Sequence, residues 1–308
     1  MPTDISIIIP LYNKQEFIVE TLKSVLSQNI QNWECIIVDD GSTDNSLKIV
    51  TDFCNTHSGN WKILSVVNGG QTKARNIGIK EAHGKYLAFL DADDLWVTNK
   101  LSTQFNYLEA HPNIVGVLSS YAIFKAKSKR VRVVRSGNFD TLLRKWVDMS
   151  GFGGGLESVG MVRLTDKIAN SLFDEKLSTS SGLDYTIRYS QLGQMALLDE
   201  IGLLYRLSEG QWHSNIDELT NNMLLISEKY SQYFKLDLNT RHVNYYFWVE
   251  VRKHGHAYLG RMVLADFAHM RISRLKMLYW LLSRNIKALV QGRLNRNYVL
   301  KQIEQLNN

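Results

Sequence analysis

Proline and cysteine are the scarce residues of this chain, three and two in 308 positions. With so few prolines, long extended linkers are not expected, and 14 tyrosines fit a compact α/β protein. Cys35 and Cys54 fall in a predicted strand and a predicted helix, without paired histidines nearby. A disulfide framework is therefore not expected, and reduced thiols point to a reducing cytoplasm. No apolar run approaches the roughly 20 residues needed to cross a bilayer. The apolar stretch at residues 5–9 is too short for a signal peptide, so neither a leader nor a membrane span is expected. Low-complexity tracts and internal repeats are absent. So are CxxC, His-Glu-x-x-His and any Ser-His-Asp order, which argues against a zinc site or a serine hydrolase.

Charge is lopsided. Residues 241–308 hold 12 Lys+Arg against 3 Asp+Glu, while residues 1–240 hold 24 against 27. The whole basic excess of +6 thus sits in the C-terminal region. That region has no recognisable nucleic-acid module, so nucleic acid is not expected as a partner.

Three segments carry chemistry at predicted strand ends: Ser6-Ile-Ile-Ile-Pro-Leu-Tyr-Asn13, Cys35-Ile-Ile-Val-Asp-Asp-Gly-Ser-Thr-Asp44 and Tyr86-Leu-Ala-Phe-Leu-Asp-Ala-Asp-Asp94. Their apolar runs read as buried parallel strands. Helical spacing over residues 17–26, 46–53 and 72–81 alternates with strands at 6–10, 36–38, 61–67 and 86–90. That order predicts a mostly parallel sheet flanked by helices. Further on, residues 115–124 and 130–134 suggest a β-ribbon. A helix at 183–192 and a short strand at 196–198 come next. From residue 217 the pattern turns mostly helical. We set a boundary near residue 214, dividing a catalytic domain at 1–214 from a basic helical region at 215–308.

Ligands of open α/β sheets bind beyond the carboxyl ends of the strands. Asp91, Asp93 and Asp94 there are too acidic to meet a phosphate unaided, and a hard cation shared by carboxylate and phosphate oxygens resolves the conflict. Tyr12 offers an aromatic wall and Asn13 both donors and acceptors, or a helix cap. Adjacent Asp39 and Asp40 at a strand end exceed what capping needs. Gly41 permits a tight turn directly after them. In Gly70-Gln-Thr-Lys-Ala-Arg-Asn-Ile-Gly78, the planar fork of Arg75 suits a diphosphate or the acidic cluster, and Lys73 is the weaker candidate. Gly153, Gly154 and Gly155, with Glu157 and Ser158, suit an acceptor floor or a loop.

Taken in order over residues 4–207, these motifs resemble the family 2 inverting glycosyltransferases with the GT-A fold. The resemblance implies that Pro10, Tyr12 and Asn13 border the nucleotide base, and that Asp40, beside Asp39, accepts the uracil imide N–H. It implies that Arg75 serves the diphosphate. Asp93 becomes the direct metal ligand, with Asp91 on the ribose or the metal's shell and Mn²⁺ or Mg²⁺ as the cation. Residues 173–193 resemble the family's acceptor-side block, which makes Asp184 the catalytic base and leaves Asp174 and Glu175 as substitutes. Two departures stand out: Leu183 replaces the usual Glu, and Ser208 replaces a His, with His213 five residues later.

The implied reaction is inverting transfer from a nucleotide-sugar donor, most simply UDP-linked, to a glycan or lipid-linked acceptor hydroxyl in cell-surface polysaccharide biosynthesis. The rivals are a catalytically degenerate nucleotide-sugar-binding subunit and a nucleotidyltransferase, although the latter lacks its basic Gly-rich loop. In the C-terminal region, Trp280 among Lys276, Arg284 and Lys287 suits a peripheral site at the inner face of the cell membrane, or else a helix interface.

Overall fold

The structure is a computed structural model. It describes residues 3–125, 128–134, 157–165, 172–177 and 181–207, with 222, 225, 226, 229 and 230. The first half runs β1 (Ile5–Leu11), α1 (Ile18–Leu26), β2 (Trp33–Asp39), α2 (Ser46–Thr56), β3 (Trp61–Ser65), α3 (Gln71–Lys80) and β4 (Tyr86–Phe89). Then come β5 (Leu95–Trp96), α4 (Lys100–Ala110), β6 (Ile114–Lys125), β7 (Ser128–Val134), β8 (Gly160–Arg163), α5 (Ser181–Ser190) and β9 (Gln194–Arg206).

The described strands form one sheet in the order β3-β2-β1-β4-β8-β6-β9-β5, with β7 on β6. Strands β1 to β4 pair in parallel, as their alternation with helices requires. All seven residues of β1 and of β2 are buried, because both faces of the sheet are covered. α1 buries Ile18, Leu22 and Val25 along one face. Each such side chain contributes about 1.5–3 kcal/mol by leaving water. Beyond β4 the sheet is mixed: β8 lies antiparallel to both β4 and β6, whereas β9 is parallel to β6. This is the α/β sandwich of the GT-A fold. The expected ribbon is β6 with β7, antiparallel.

Two local expectations change. Pro10 does not end its strand, which continues to Leu11 opposite Asp39. The main chain of Ile8 faces β4, whose pairing stops at Phe89, so two residues on the missing N–H of Pro10 faces no strand partner. The strand expected at 196–198 is 13 residues long, Gln194–Arg206, because exposed Asp199 and Glu200 interrupt its apolar pattern without breaking it.

Strand register brings three chemically loaded loops together. Leu11 lies opposite Asp39 and Ile8 opposite Phe89, so the loops after β1, β2 and β4 leave the same edge. Gly41 turns the second loop at φ +69, where a Cβ would stand 3.0 Å from the main-chain nitrogen of Asn68. The boundary near residue 214, Gly153 to Gly155, Ser208, His213 and Trp280 with its basic neighbours lie outside the described residues. Within the stretch expected to be helical from residue 217, Ile226 and Tyr230 are described, and both are buried.

Candidate active site

Tyr12 stands at the strand edge with 46% of its surface exposed, an aromatic face with nothing over it among the described residues. Asn13, also exposed, adopts φ 50 and turns toward the neighbouring loop instead. Its Oδ1 accepts the main-chain N–H of Thr43 at 2.8 Å, so it stitches the first loop to the second rather than capping α1. Asp44 completes the stitch: its carboxylate accepts from the N–H of Ser46 at 2.8 Å and of Gln15 at 3.2 Å.

The two carboxylates after β2 have different surroundings. Each oxygen of Asp40 accepts one main-chain N–H, from Gly69 and Gly70, both at 2.8 Å. Asp40 therefore anchors the loop entering α3, and each oxygen keeps one further lone pair. Asp39 is equally buried, yet its Oδ1 has no hydrogen-bond partner and Ser65 reaches Oδ2 only at 3.4 Å. A buried acceptor left unpaired costs about 1–3 kcal/mol, which a ligand N–H or O–H would remove.

Arg75 rises from α3 into the acidic loop. Nη2 meets Asp91 Oδ1 at 2.6 Å, Nη1 stands 3.6 Å from Glu157 Oε1, and the guanidinium carbon lies 5.5 Å from the Phe173 ring centre. Gln71 Nε2 also donates to Asp91 Oδ1, at 2.9 Å. Asp93 Oδ2 accepts from Lys14 Nζ at 2.7 Å. Among the described residues, Asp91 Oδ2 and Asp93 Oδ1 have no donor, so each side chain keeps one uncommitted oxygen.

Asp94 is different again: it accepts the main-chain N–H of Arg206 at 3.0 Å, across the sheet. Burial, and then the charges of Asp93 and Asp91, push its carboxyl well above the ordinary carboxylate range.

This donor set fits a hard divalent cation. Among the described residues no three His, Cys, Asp or Glu side chains gather as metal ligands. One or two carboxylates, with phosphate oxygens and water completing the shell, is the usual arrangement for Mg²⁺ in a nucleotide complex.

On the acceptor side, Asp184 lies in the first turn of α5 with no exposed surface. Oδ2 accepts from Arg188 Nε at 2.8 Å, and Oδ1 from Lys229 Nζ and Tyr230 Oη, both at 2.7 Å. Asp174 shares Lys229 at 3.2 Å, and Glu175 accepts from Asn76 at 2.9 Å. Asp184 is therefore a buried tether between α5 and the chain at 229–230. Ser158 lies against the acidic loop, where its Oγ accepts the main-chain N–H of Asp91 at 3.0 Å.

Lys14 carried no signal in the sequence, and Arg206 was not singled out there. Arg206 donates to the carbonyl of Asp93 at 2.8 Å and to Glu20 at 2.5 Å, with Phe17 and Phe124 on its faces. Its place in the segment 205–208 was the one available hint.

Residues 6–157 match the family model described as Glycosyl transferase family 2. Among curated relatives, an Escherichia coli UDP-Glc:alpha-D-GlcNAc-diphosphoundecaprenol beta-1,3-glucosyltransferase, WfaP, is 42% identical over 108 residues. That alignment covers 34% of this chain and 41% of the relative. Matches to the curated relatives cover 19% to 52% of their lengths. Among solved structures, S. aureus TarS 1-349 in complex with UDP-GlcNAc superimposes with TM-score 0.60 at 22% identity, over 78% of this chain and 69% of that one. The Pyrobaculum calidifontis mannosyltransferase PcManGT, in complex with GDP-Man and Mn2+, gives 0.59 at 16%, over 96% and 90%. These two likenesses bear on the fold. By that match residues 6–157, the segment that holds the donor-side residues above, are a glycosyl transferase family 2 domain, and the fold agrees with it.

Proposed function

We propose that this protein moves a sugar, with inversion, from a UDP-sugar to a hydroxyl of a lipid-linked or glycan acceptor in cell-surface polysaccharide assembly. The observation that carries the reading is the single strand edge shared by exposed Tyr12, the unpaired acceptor of Asp39, and the carboxylates of Asp91, held by Arg75, and Asp93, held by Lys14. In this reading Pro10, Tyr12 and Asn13 frame the base, and Asp39 and Asp40 offer acceptors to its imide N–H. Arg75 neutralises the diphosphate through two terminal nitrogens. Asp93, assisted by Asp91, holds Mn²⁺ or Mg²⁺, which when bound stabilises the negative charge growing on the departing diphosphate. The relatives support this donor and acceptor class: WfaP is named for UDP-Glc and a diphosphoundecaprenol acceptor, and TarS and PcManGT are titled with nucleotide sugars.

Among the described residues no helix is long and apolar enough to cross a membrane. We place the enzyme at the inner face of the cell membrane through its basic 215–308 region, beside a lipid-linked acceptor. Co-sedimentation with anionic liposomes tests that placement. Salt-sensitive binding lost in a W280A/R284Q variant supports it, and absence of binding at low salt rejects it.

A second reading, a nucleotide-sugar binder without turnover, is favoured by the complete engagement of Asp184. A panel of UDP-sugars incubated with Mn²⁺ separates the two. Release of UDP supports the transferase, and binding without release supports the binder.

A further inference from the structure

The loop that carries Asp91 and Asp93 is held from behind by two buried side chains, Thr21 of α1 and Arg206 at the end of β9. Three successive carbonyls of the loop take their donors from these two residues. The Thr21 hydroxyl is shared between those of Ala92 at 3.0 Å and Asp94 at 2.9 Å, and Arg206 Nε donates to that of Asp93 at 2.8 Å. The main-chain N–H of Arg206 adds a bond to Asp94 Oδ1 at 3.0 Å. The guanidinium itself has little freedom. Its carbon lies 5.1 Å from the ring centre of Phe17 and 5.0 Å from that of Phe124, and Nη2 is tied to Glu20 Oε2 at 2.5 Å. On the front of the loop the Asp93 carboxylate accepts from Lys14.

We infer that Arg206, seconded by Thr21, is the positioning residue for the metal-binding carboxylates, an assignment that rests on the transferase reading above, in which Asp93 holds the cation. A small divalent cation demands a fixed arrangement of oxygens. A loop whose buried carbonyls lacked donors would shift to find them. Its carboxylates would then have to be ordered as the cation binds, at an entropic cost. Arg206 and Thr21 remove that cost by fixing the main chain on either side of the Asp93 side chain beforehand. The charge of Arg206 works the other way, because a guanidinium beside the site repels a cation. Charge alone therefore predicts tighter metal binding when Arg206 is removed, whereas positioning predicts weaker binding.

The opposite signs make the test. UDP is titrated calorimetrically into the full chain over a series of Mn²⁺ concentrations, with EDTA as the metal-free arm and uridine as the ligand without phosphate. Arg206→Met is expected to raise the Mn²⁺ concentration that gives half of the strengthening of UDP binding by roughly 10–100-fold, the usual effect of removing a partner behind a metal ligand. Arg206→Lys keeps the charge but not the flat fork between two rings, and is expected to behave in the same way. Affinities for UDP in EDTA and for uridine are expected to stay at their wild-type values in both. Thr21→Val changes no charge, and is expected to raise the Mn²⁺ requirement in the same direction. An unchanged or lower Mn²⁺ requirement in Arg206→Met overturns the assignment, as does an equal loss of uridine binding, which would mean a general structural role. If the Arg206 variants do not fold, an unchanged requirement in Thr21→Val overturns it. A wild-type chain that binds UDP equally with Mn²⁺ and EDTA overturns instead the metal reading of Asp93, before any variant is compared.

Discussion

Arg75 Nη2 lies 2.6 Å from Asp91 Oδ1, and the arginine side chain is 3% exposed against 24% for the aspartate. The pair is closed to water on the cation side and open on the carboxylate side, so the fork is fixed before any ligand arrives. Lysine at 75 keeps the charge but cannot span Asp91 and Glu157. Arg75→Lys is expected to cost about 1.5–3 kcal/mol of transition-state stabilisation, the range for a hydrogen bond to a charged group. That is a roughly ten- to hundredfold fall in kcat/KM. Steady-state kinetics at saturating Mn²⁺ measure it, and the circular dichroism spectrum should not change.

Lys14 occupies the carboxylate expected to hold the cation, at 2.7 Å from Asp93 Oδ2. Lys14→Met removes that competitor. Mn²⁺ alone, titrated without nucleotide, is expected to bind up to about fivefold more tightly, the equivalent of ~1 kcal/mol for a partly exposed ion pair. Weaker binding would mean that Lys14 organises the loop rather than competing for it.

Asp184 is a prediction about stability. Its carboxylate is fully buried between Arg188 and Lys229. Removing one partner of a buried charge pair typically costs roughly 3–5 kcal/mol. Asp184→Ala is expected near the lower end, since Arg188 and Lys229 keep some contact with water. Urea unfolding reads the loss as a lower midpoint with an unchanged slope.

Lys100 sets a pH dependence. Its Nζ is buried, donates to the carbonyl of Gly160 at 3.0 Å and sits 3.9 Å from the Trp96 ring centre. Burial lowers its pKa well below the ordinary lysine value. Between that lowered value and about 10.4, the unfolded chain binds the extra proton, so this group's contribution to stability rises with pH. Below the lowered value the lysine is charged in both states and the full cost of burying it applies. Buried tyrosines oppose this at alkaline pH, since burial raises the pKa of Tyr185 and Tyr189. The informative quantity is therefore wild type minus Lys100→Met. That difference in unfolding free energy is expected to climb from pH 7 toward pH 10, and a flat difference would contradict the assignment.

The first half of the fold was readable because doubly covered parallel strands must be continuous apolar runs, and Pro, Gly and Asp mark their ends. Asp91, Asp93 and Arg75 were readable for a related reason: clustered acids at a strand end have little structural use. What the sequence hid depends on distant neighbours. Nothing local tells Asp39 from Asp40, because the difference lies in Gly69 and Gly70, some thirty residues on. The partners of Asp184, Lys229 and Tyr230, are 45 and 46 residues away and could not be read beside it. Strand β9 was underestimated because Asp199 and Glu200 look like a turn when the partner strand is unknown.

Calorimetric titration of UDP into the wild-type chain and into Asp93→Ala, each with Mn²⁺ and with EDTA, tests the central claim most directly. Asp93 lies outside the hydrophobic core and its side chain is held by Lys14, which is 30% exposed, so the substitution should leave the core intact. The expected result is UDP binding that Mn²⁺ strengthens in the wild type and does not strengthen in Asp93→Ala. Equal binding of UDP with Mn²⁺ and EDTA in the wild type, or the same Mn²⁺ enhancement in both proteins, would contradict it.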